Sequence, residues 1–176
     1  MTRTVCLHGP ESTGKSTLAP LLAARLGGAL VDEYGRAWCE TWGTDLTMGQ
    51  LVAIAEGHLA ATHTALRSKP EWLILDTDPL MTAVWADMLF GIRDPWFDAF
   101  TETADLYLLF DIDLPWIADG TRLFGGHAAR RRFFDLSKAE LERRGLDWAL
   151  IGGKTPDARL ANALAAIESA DLSPVA

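Results

Sequence analysis

The stretch Thr4-Val5-Cys6-Leu7-His8-Gly9-Pro10-Glu11-Ser12-Thr13-Gly14-Lys15-Ser16-Thr17 decides the fold. Its first five residues form a β-leaning apolar run with none of the polar alternation of a half-exposed strand, the pattern of a strand buried on both faces. Gly9 to Ser16 then fit G-x-x-x-x-G-K-[ST]. From Lys15 to Leu26 the apolar residues change to helical spacing (Leu18, Leu21, Leu22, Leu26), and Gly27-Gly28 supplies the stop. Strand, glycine-rich loop and helix N-terminus in that order form the context in which this pattern binds phosphate. Gly9 and Gly14 let the backbone wrap an anion, and successive N–H groups with the helix N-terminus make its nest. Lys15 is placed to reach β- and γ-phosphates and the Ser16 hydroxyl to ligate Mg²⁺. The phosphate-binding set is therefore Gly9, Glu11, Ser12, Thr13, Gly14, Lys15, Ser16 and Thr17, and ATP with Mg²⁺ is the implied pair of ligands.

Outward from this loop, strands and helices alternate. Ala29 to Val31 reads as a strand, Arg36 to Thr41 as a short helix, and Thr47 to about Arg67 as a longer one with Thr47 as its N-cap. Trp72 to Leu75 is an uninterrupted apolar strand running into Asp76-Thr77-Asp78, followed by a helix over Met81 to Phe90. Leu106 to Phe110 is another apolar strand. Residues 113–132 carry glycines and arginines without periodicity and read as a mobile lid. A helix over Leu136 to Arg144, a strand over Ala149 to Ile151 and a helix from Pro156 to Ala170 complete the chain. Five fully apolar strands alternating with helices predict an α/β fold: a parallel sheet with helices on both faces.

Composition narrows the function. The chain has 176 residues, 49% hydrophobic and 23% charged, which fits one globular domain over residues 1–176. A net charge of −8 argues against a general nucleic-acid binder, which needs a broad cationic surface. The two cysteines, Cys6 and Cys39, are too few for a disulfide scaffold, and no apolar run approaches a membrane span, so the expected location is the cytosol. No N-K-x-D guanine signature is present, and large motor ATPases need more chain. A phosphate loop in a small chain with a basic segment late in the sequence is the build of a nucleoside or nucleotide kinase.

Open α/β sheets bind ligands at the carboxyl ends of their strands. Asp76 ends a strand and is the candidate to hold Mg²⁺ through water or to orient and deprotonate an attacking hydroxyl. Asp78 is a candidate acceptor contact, with helix capping as its alternative. Glu33, Tyr34 and Arg36 follow the second strand and are candidate acceptor contacts, the carboxylate suiting ribose hydroxyls and the guanidinium suiting phosphate. Arg122, Arg130 and Arg131 are candidate lid cations, and Arg122 is the one expected to be catalytic. The four histidines lack metal-ligand spacing and read as structural or surface groups.

Together, Gly9 to Ser16, Glu33 to Arg36, Asp76 to Asp78 and Trp116 to Arg122 resemble the kinase domain of NadR-type proteins in both order and spacing. The resemblance spans essentially the whole chain. It implies a sheet ordered 2-3-1-4-5 and ATP-dependent phosphorylation of nicotinamide riboside at its 5′-hydroxyl, giving nicotinamide mononucleotide in NAD salvage or biosynthesis. NadR-type proteins place an adenylyltransferase domain, and in some cases a helix-turn-helix domain, before the kinase. This chain starts at the phosphate loop, so it is expected neither to make NAD itself nor to bind an operator. Position 32 is Asp where some members have an aromatic. The pyridinium ring of that acceptor favours an aromatic face beside carboxylates, which makes Trp116 and Asp119 further acceptor candidates. The other readings are a kinase for a different nucleoside, nucleotide or small metabolite, and an ATP-sensing module without catalysis.

Overall fold

The computed structural model describes residues 1–170 and 172. Its strands are β1 (Arg3–His8), β2 (Ala29–Val31), β3 (Trp72–Asp76), β4 (Leu106–Phe110) and β5 (Trp148–Ile151). Its helices are α1 (Lys15–Leu26), α2 (Tyr34–Trp42), α3 (Met48–Leu66), α4 (Pro79–Phe90), α5 (Pro95–Ala99), α6 (His127–Arg143) and α7 (Pro156–Ser169). The strands form one parallel sheet in the order β2-β3-β1-β4-β5, the order the resemblance implied.

The continuous apolar strands reflect two packed faces. Val5, Leu7, Ile74, Leu108 and Phe110 point to one side, where Leu18 and Leu22 of α1 and Ala163 and Ile167 of α7 close over them. Cys6, Leu73, Leu75, Tyr107 and Leu109 point to the other, against Leu80, Phe100, Phe134 and Leu141. Successive side chains on a strand alternate in direction, so a strand covered on both sides must be apolar at every position. The turn from α1 into β2 passes very close to β3. A Cβ at Gly28 would lie 2.7 Å from the Trp72 backbone oxygen, which is why glycine stands there.

Several boundaries differ from the sequence reading. Helix α4 begins at Pro79, two residues early, because the Asp78 carboxylate accepts from the N–H groups of Leu80 and Met81 and proline occupies the first turn. The short α5, capped by Asp94, was not anticipated. Helix α6 starts at His127, nine residues before the expected Leu136, so the irregular segment ends at 126 and not at 132. Buried Phe133, Phe134 and Leu141 pull this polar, arginine-rich stretch onto the core as a helix. Its far end is fastened by Glu140, which is 2% exposed and forms ion pairs with Arg93, Arg143 and Arg144. Those three cations hold the Glu140 carboxyl at about 2, against the burial that acts to raise it.

Candidate functional site

The phosphate loop leaves β1 at the centre of the sheet and enters α1. Gly9 (φ 122°), Ser12 (φ 56°) and Gly14 (φ 88°) take left-handed backbone conformations. Gly9 is also sterically required, since a Cβ there would lie 3.0 Å from the Phe110 backbone oxygen. Lys15 folds back over the loop, its Nζ donating to the carbonyls of Gly9 (2.9 Å) and Pro10 (2.6 Å). Burial lowers the Lys15 pKa, while Glu33, Asp76 and Glu11 act to restore it. Burial likewise raises the carboxyls of Glu33, Asp76 and Glu11. One cation among three carboxyls in a poorly solvated hollow is a group of titratable residues poised for chemistry.

A cleft of about 1010 Å³, measured out to its mouth, opens over the loop. Gly9, Glu11, Ser12, Thr13, Gly14, Lys15, Ser16 and Thr17 all line it, as do Glu33, Arg36 and Arg122. Its far wall comes from α3 and α4: Leu51, Ile54 and His58 on one, Met81, Thr82 and Trp85 on the other. Trp85 packs on Phe124 of the irregular segment, ring centroids 5.3 Å apart. The sequence reading missed this wall. Leu51, Ile54 and His58 sit at the i, i+3, i+7 spacing of any helix that faces a core, so nothing local marked them as lining a cavity.

Asp76 opens instead into an adjoining hollow of about 620 Å³, shared with Ser16, Asp32, Glu33, Arg36 and Glu40. Burial raises the Asp76 carboxyl and the nearby Ser16 hydroxyl acts to lower it, while Oδ1 of Asp76 is buried without a partner among the described residues. An orphaned carboxylate oxygen beside a loop hydroxyl fits Mg²⁺, which binds through few protein oxygens, waters and substrate phosphates. Among the described residues no cluster of three or more His, Cys, Asp or Glu could hold a metal by itself.

The irregular segment is tied to the loop. Glu11 accepts from the N–H groups of Leu123 (3.1 Å) and Phe124 (3.0 Å), and the Ser12 hydroxyl accepts from the N–H of Ile117 (2.8 Å). Asp119 does not line the cleft itself but pairs with two residues that do, Arg36 (2.9 Å) and Arg122 (3.0 Å). Hydrogen bonds from Arg36 and Thr121 hold the Asp119 carboxyl at about 2 against the opposing effect of burial.

Other candidates lie elsewhere. Asp78 caps α4 and accepts from the Tyr107 hydroxyl (2.5 Å), so it is held beneath the site and not in the cleft. Tyr34 lies across Gly57 of α3, where a Cβ would come within 2.4 Å of its ring. Trp116 covers Gly125 in the same manner, and its indole is absent from the cleft wall. Arg130 and Arg131 belong to α6. Arg130 is 9% exposed and donates to the Leu114 carbonyl (3.0 Å), whereas Arg131 pairs on the surface with Asp135. Arg122 alone of these arginines lines the cleft.

A family model described as an AAA domain matches residues 4–159, from the first strand through the start of α7. The chain belongs to that family. Within it, this AAA domain is 29% identical over 163 residues to the trifunctional NAD biosynthesis/regulator protein NadR of Escherichia coli K12. That match covers 89% of this chain but 40% of the relative, so the domain spans less than half of the curated protein's length. A solved structure of NadR protein in complex with NR superposes with a TM-score of 0.78 at 23% identity, over 99% of this chain and 53% of that one. Thymidylate kinase from Ehrlichia chaffeensis superposes at 0.71 and 14% identity, over 94% of this chain and 98% of that one. At such identities the superpositions establish a shared phosphate-loop α/β fold. No helix among the described residues is long and apolar enough to cross a membrane.

Proposed function

We propose that this chain is an ATP-dependent kinase that transfers the γ-phosphoryl group to the 5′-hydroxyl of nicotinamide riboside, forming nicotinamide mononucleotide and ADP. One observation carries the reading. A single cleft is lined by a complete phosphate loop, by the half-buried carboxyls of Glu11 and Glu33, and by an apolar wall that includes the indole of Trp85. That set of surfaces suits a triphosphate, a ribose and a flat ring. The motif resemblance and the 29% identity to NadR favour nicotinamide riboside among flat-ringed nucleosides.

In this reading the loop amides and the Lys15 ammonium hold the β- and γ-phosphates, and Lys15 exchanges its two carbonyl contacts for phosphate oxygens. Ser16 and, through water, Asp76 are the residues that would hold Mg²⁺, which when bound offsets charge on the β- and γ-phosphates. Asp76 lines only the hollow beside Ser16, whereas Glu33 lines both that hollow and the cleft, which supports giving Glu33 one of the two roles that the sequence left together on Asp76. Glu33 then orients the 5′-hydroxyl and accepts its proton. Its raised pKa makes the carboxylate a better base than an exposed glutamate. The oxygen attacks Pγ as the bond from Pγ to the β–γ bridging oxygen breaks, and the electron pair leaves with ADP. Arg122, on the segment tied to Glu11 and Ser12, stabilises the charge that spreads over the transferring group.

The test is ADP release with nicotinamide riboside, its reduced uncharged form, uridine, cytidine, adenosine and thymidine as acceptors. Nicotinamide riboside is expected to give the highest kcat/KM, about 5- to 30-fold above neutral nucleosides if its cationic ring rests on an aromatic face. A neutral nucleoside used equally well would reassign the acceptor but leave the kinase. Slow ATP turnover that no nucleoside accelerates would favour a nucleotide-sensing module.

A further inference from the structure

A chain of polar contacts links Glu33 to the phosphate loop, and Asp119 is its middle member. Nε of Arg36 lies 3.5 Å from the Glu33 carboxylate, and Nη1 of Arg36 donates to Oδ2 of Asp119 (2.9 Å). The same Oδ2 lies 3.0 Å from Nε of Arg122. Nη1 of Arg122 in turn donates to the Ser12 hydroxyl (3.4 Å) and to the Ile117 carbonyl (2.5 Å). Glu33, Arg36, Arg122 and Ser12 all line the cleft.

The second oxygen of Asp119 has a separate task. Oδ1 accepts from the N–H groups of Thr121 (3.1 Å) and Arg122 (3.2 Å) and from the Thr121 hydroxyl (3.0 Å), which folds residues 119–122 into a tight turn. One carboxylate thus fixes the backbone that carries Arg122 and also grips Arg36 of α2, 83 residues earlier in the chain. Two guanidinium groups brought this close repel each other, and long arginine side chains spread over many rotamers when nothing holds them. A carboxylate two contacts from a phosphate loop also opposes an anionic ligand by its charge. What favours Asp119 at this position is therefore what it holds.

We propose that Asp119 is a positioning residue for phosphoryl transfer, gathering Arg36 and Arg122 on one oxygen as a pair of cations between Glu33 and the phosphate loop. The inference rests on the kinase reading above, in which the phosphoryl group passes from the loop to a hydroxyl oriented by Glu33. The contacts Glu33–Arg36–Asp119–Arg122–Ser12 join those same two sides of the cleft. Charge that spreads over the transferring oxygens then meets two guanidiniums already in place, with no rearrangement needed during the reaction. Asp119 thereby acts through the two arginines and not, as its sequence position suggested, as a contact of the acceptor.

The experiment measures kcat and both KM values for wild type, Asp119→Asn, Asp119→Glu and Asp119→Ala, with ATP and whichever nucleoside wild type phosphorylates best. The variants separate the two oxygens. Asn keeps an acceptor for the turn but loses the charge, whereas Glu keeps the charge on a longer stem and gives up the turn. Asp119→Asn is expected to lower kcat about 10- to 100-fold with each KM within about threefold of wild type, the signature of misplaced groups and not of lost binding. Asp119→Glu should retain more activity than Asp119→Asn. Combined with Arg36→Gln, Asp119→Asn should cost less than the product of the two single losses, because both break one bridge.

Four results would each overturn the proposal while the kinase stands. Asp119→Asn as active as wild type would leave Asp119 only its turn, and so would Asp119→Glu less active than Asp119→Asn. A raised acceptor KM at unchanged kcat would make Asp119 an acceptor contact. Losses that multiply in full with Arg36→Gln would show that Asp119 does not act through Arg36. If Asp119→Ala does not fold, the Asn and Glu variants decide. Wild type inactive on every nucleoside defeats the kinase reading, and this inference with it.

Discussion

The two walls of the cleft are built in different ways. The phosphate wall is one continuous segment, Gly9 to Thr17, shaped by its own backbone torsions and by the start of α1. The far wall, proposed to hold the acceptor, takes Leu51, Ile54 and His58 from α3, Met81 and Trp85 from α4, and Arg122 and Leu123 from the irregular segment. The first binds through amides and a cation, which any sequence with glycines in the right places can supply. The second exists only once three distant stretches have packed. In the proposed reading, phosphate chemistry is therefore robust to distant change, while acceptor choice depends on the packing of helices that carry no motif. This contrast can be broken experimentally at several points.

The largest effect is expected from Lys15→Ala, which should lower kcat/KM for ATP about 10³-fold with the melting temperature nearly unchanged, because a self-contained loop loses chemistry without losing fold. Retention of more than about a tenth of wild-type kcat/KM would mean under about 1.4 kcal/mol of transition-state stabilisation was lost, and the loop assignment would fail.

Next, Asp76→Asn and Glu33→Gln should each reduce kcat by about two orders of magnitude, since a positioned carboxylate contributes on that scale. Only Asp76→Asn should raise the Mg²⁺ concentration needed for half-maximal rate. If Glu33→Gln moves the Mg²⁺ requirement and Asp76→Asn does not, the assigned roles are reversed.

Beneath both walls, Asp78 tests the packing. Its buried carboxyl is raised from 3.8 to about 6, with burial the largest cause. A folded pKa above the unfolded one means that the native state holds the proton more tightly. The contribution to stability is complete below about pH 4 and is lost as pH rises through 6. His8 and His58, lowered by burial to about 3 and about 4, act in the opposite sense, gaining stability as pH rises towards 6.5. The readout is therefore wild type minus Asp78→Asn, where Asn keeps the capping oxygen. The variant should gain about 1–3 kcal/mol relative to wild type between pH 4 and pH 7 in urea unfolding. A difference independent of pH would show that the carboxyl titrates normally.

The smallest effect should come from Glu11→Ala at the seam between the two regions. Loss of its contacts to Leu123 and Phe124 should speed amide hydrogen exchange at both residues and raise the KM for ATP several-fold, about 1 kcal/mol. Unaltered exchange at these two amides would show that the segment is held without Glu11.

What could be read in the linear chain follows the same division. The central strands β1, β3 and β4 were legible because a doubly covered strand must be apolar at each position, and the loop because its glycines, lysine and serine are contiguous. Glu33, Arg36, Asp76 and Arg122 stood out as charged groups at or beyond strand ends, where α/β sheets place ligands. Tyr34, Asp78, Trp116 and Arg131 have equally suggestive positions in the sequence. In the fold they are occupied with Gly57, the α4 N-terminus, Gly125 and Asp135.

The amino-acid sequence by itself determined the alternating α/β architecture and the phosphate loop, because periodicity and glycine torsions act over a few residues. Tertiary structure alone decided which helix faces became cavity and which became core. His58 and Leu59 are neighbours in sequence, yet His58 lines the cleft while Leu59 packs against the sheet. It also decided that Asp119 is neutralised by Arg36, 83 residues away. Such pairings depend on where the chain returns in space, and no local pattern of residues encodes that.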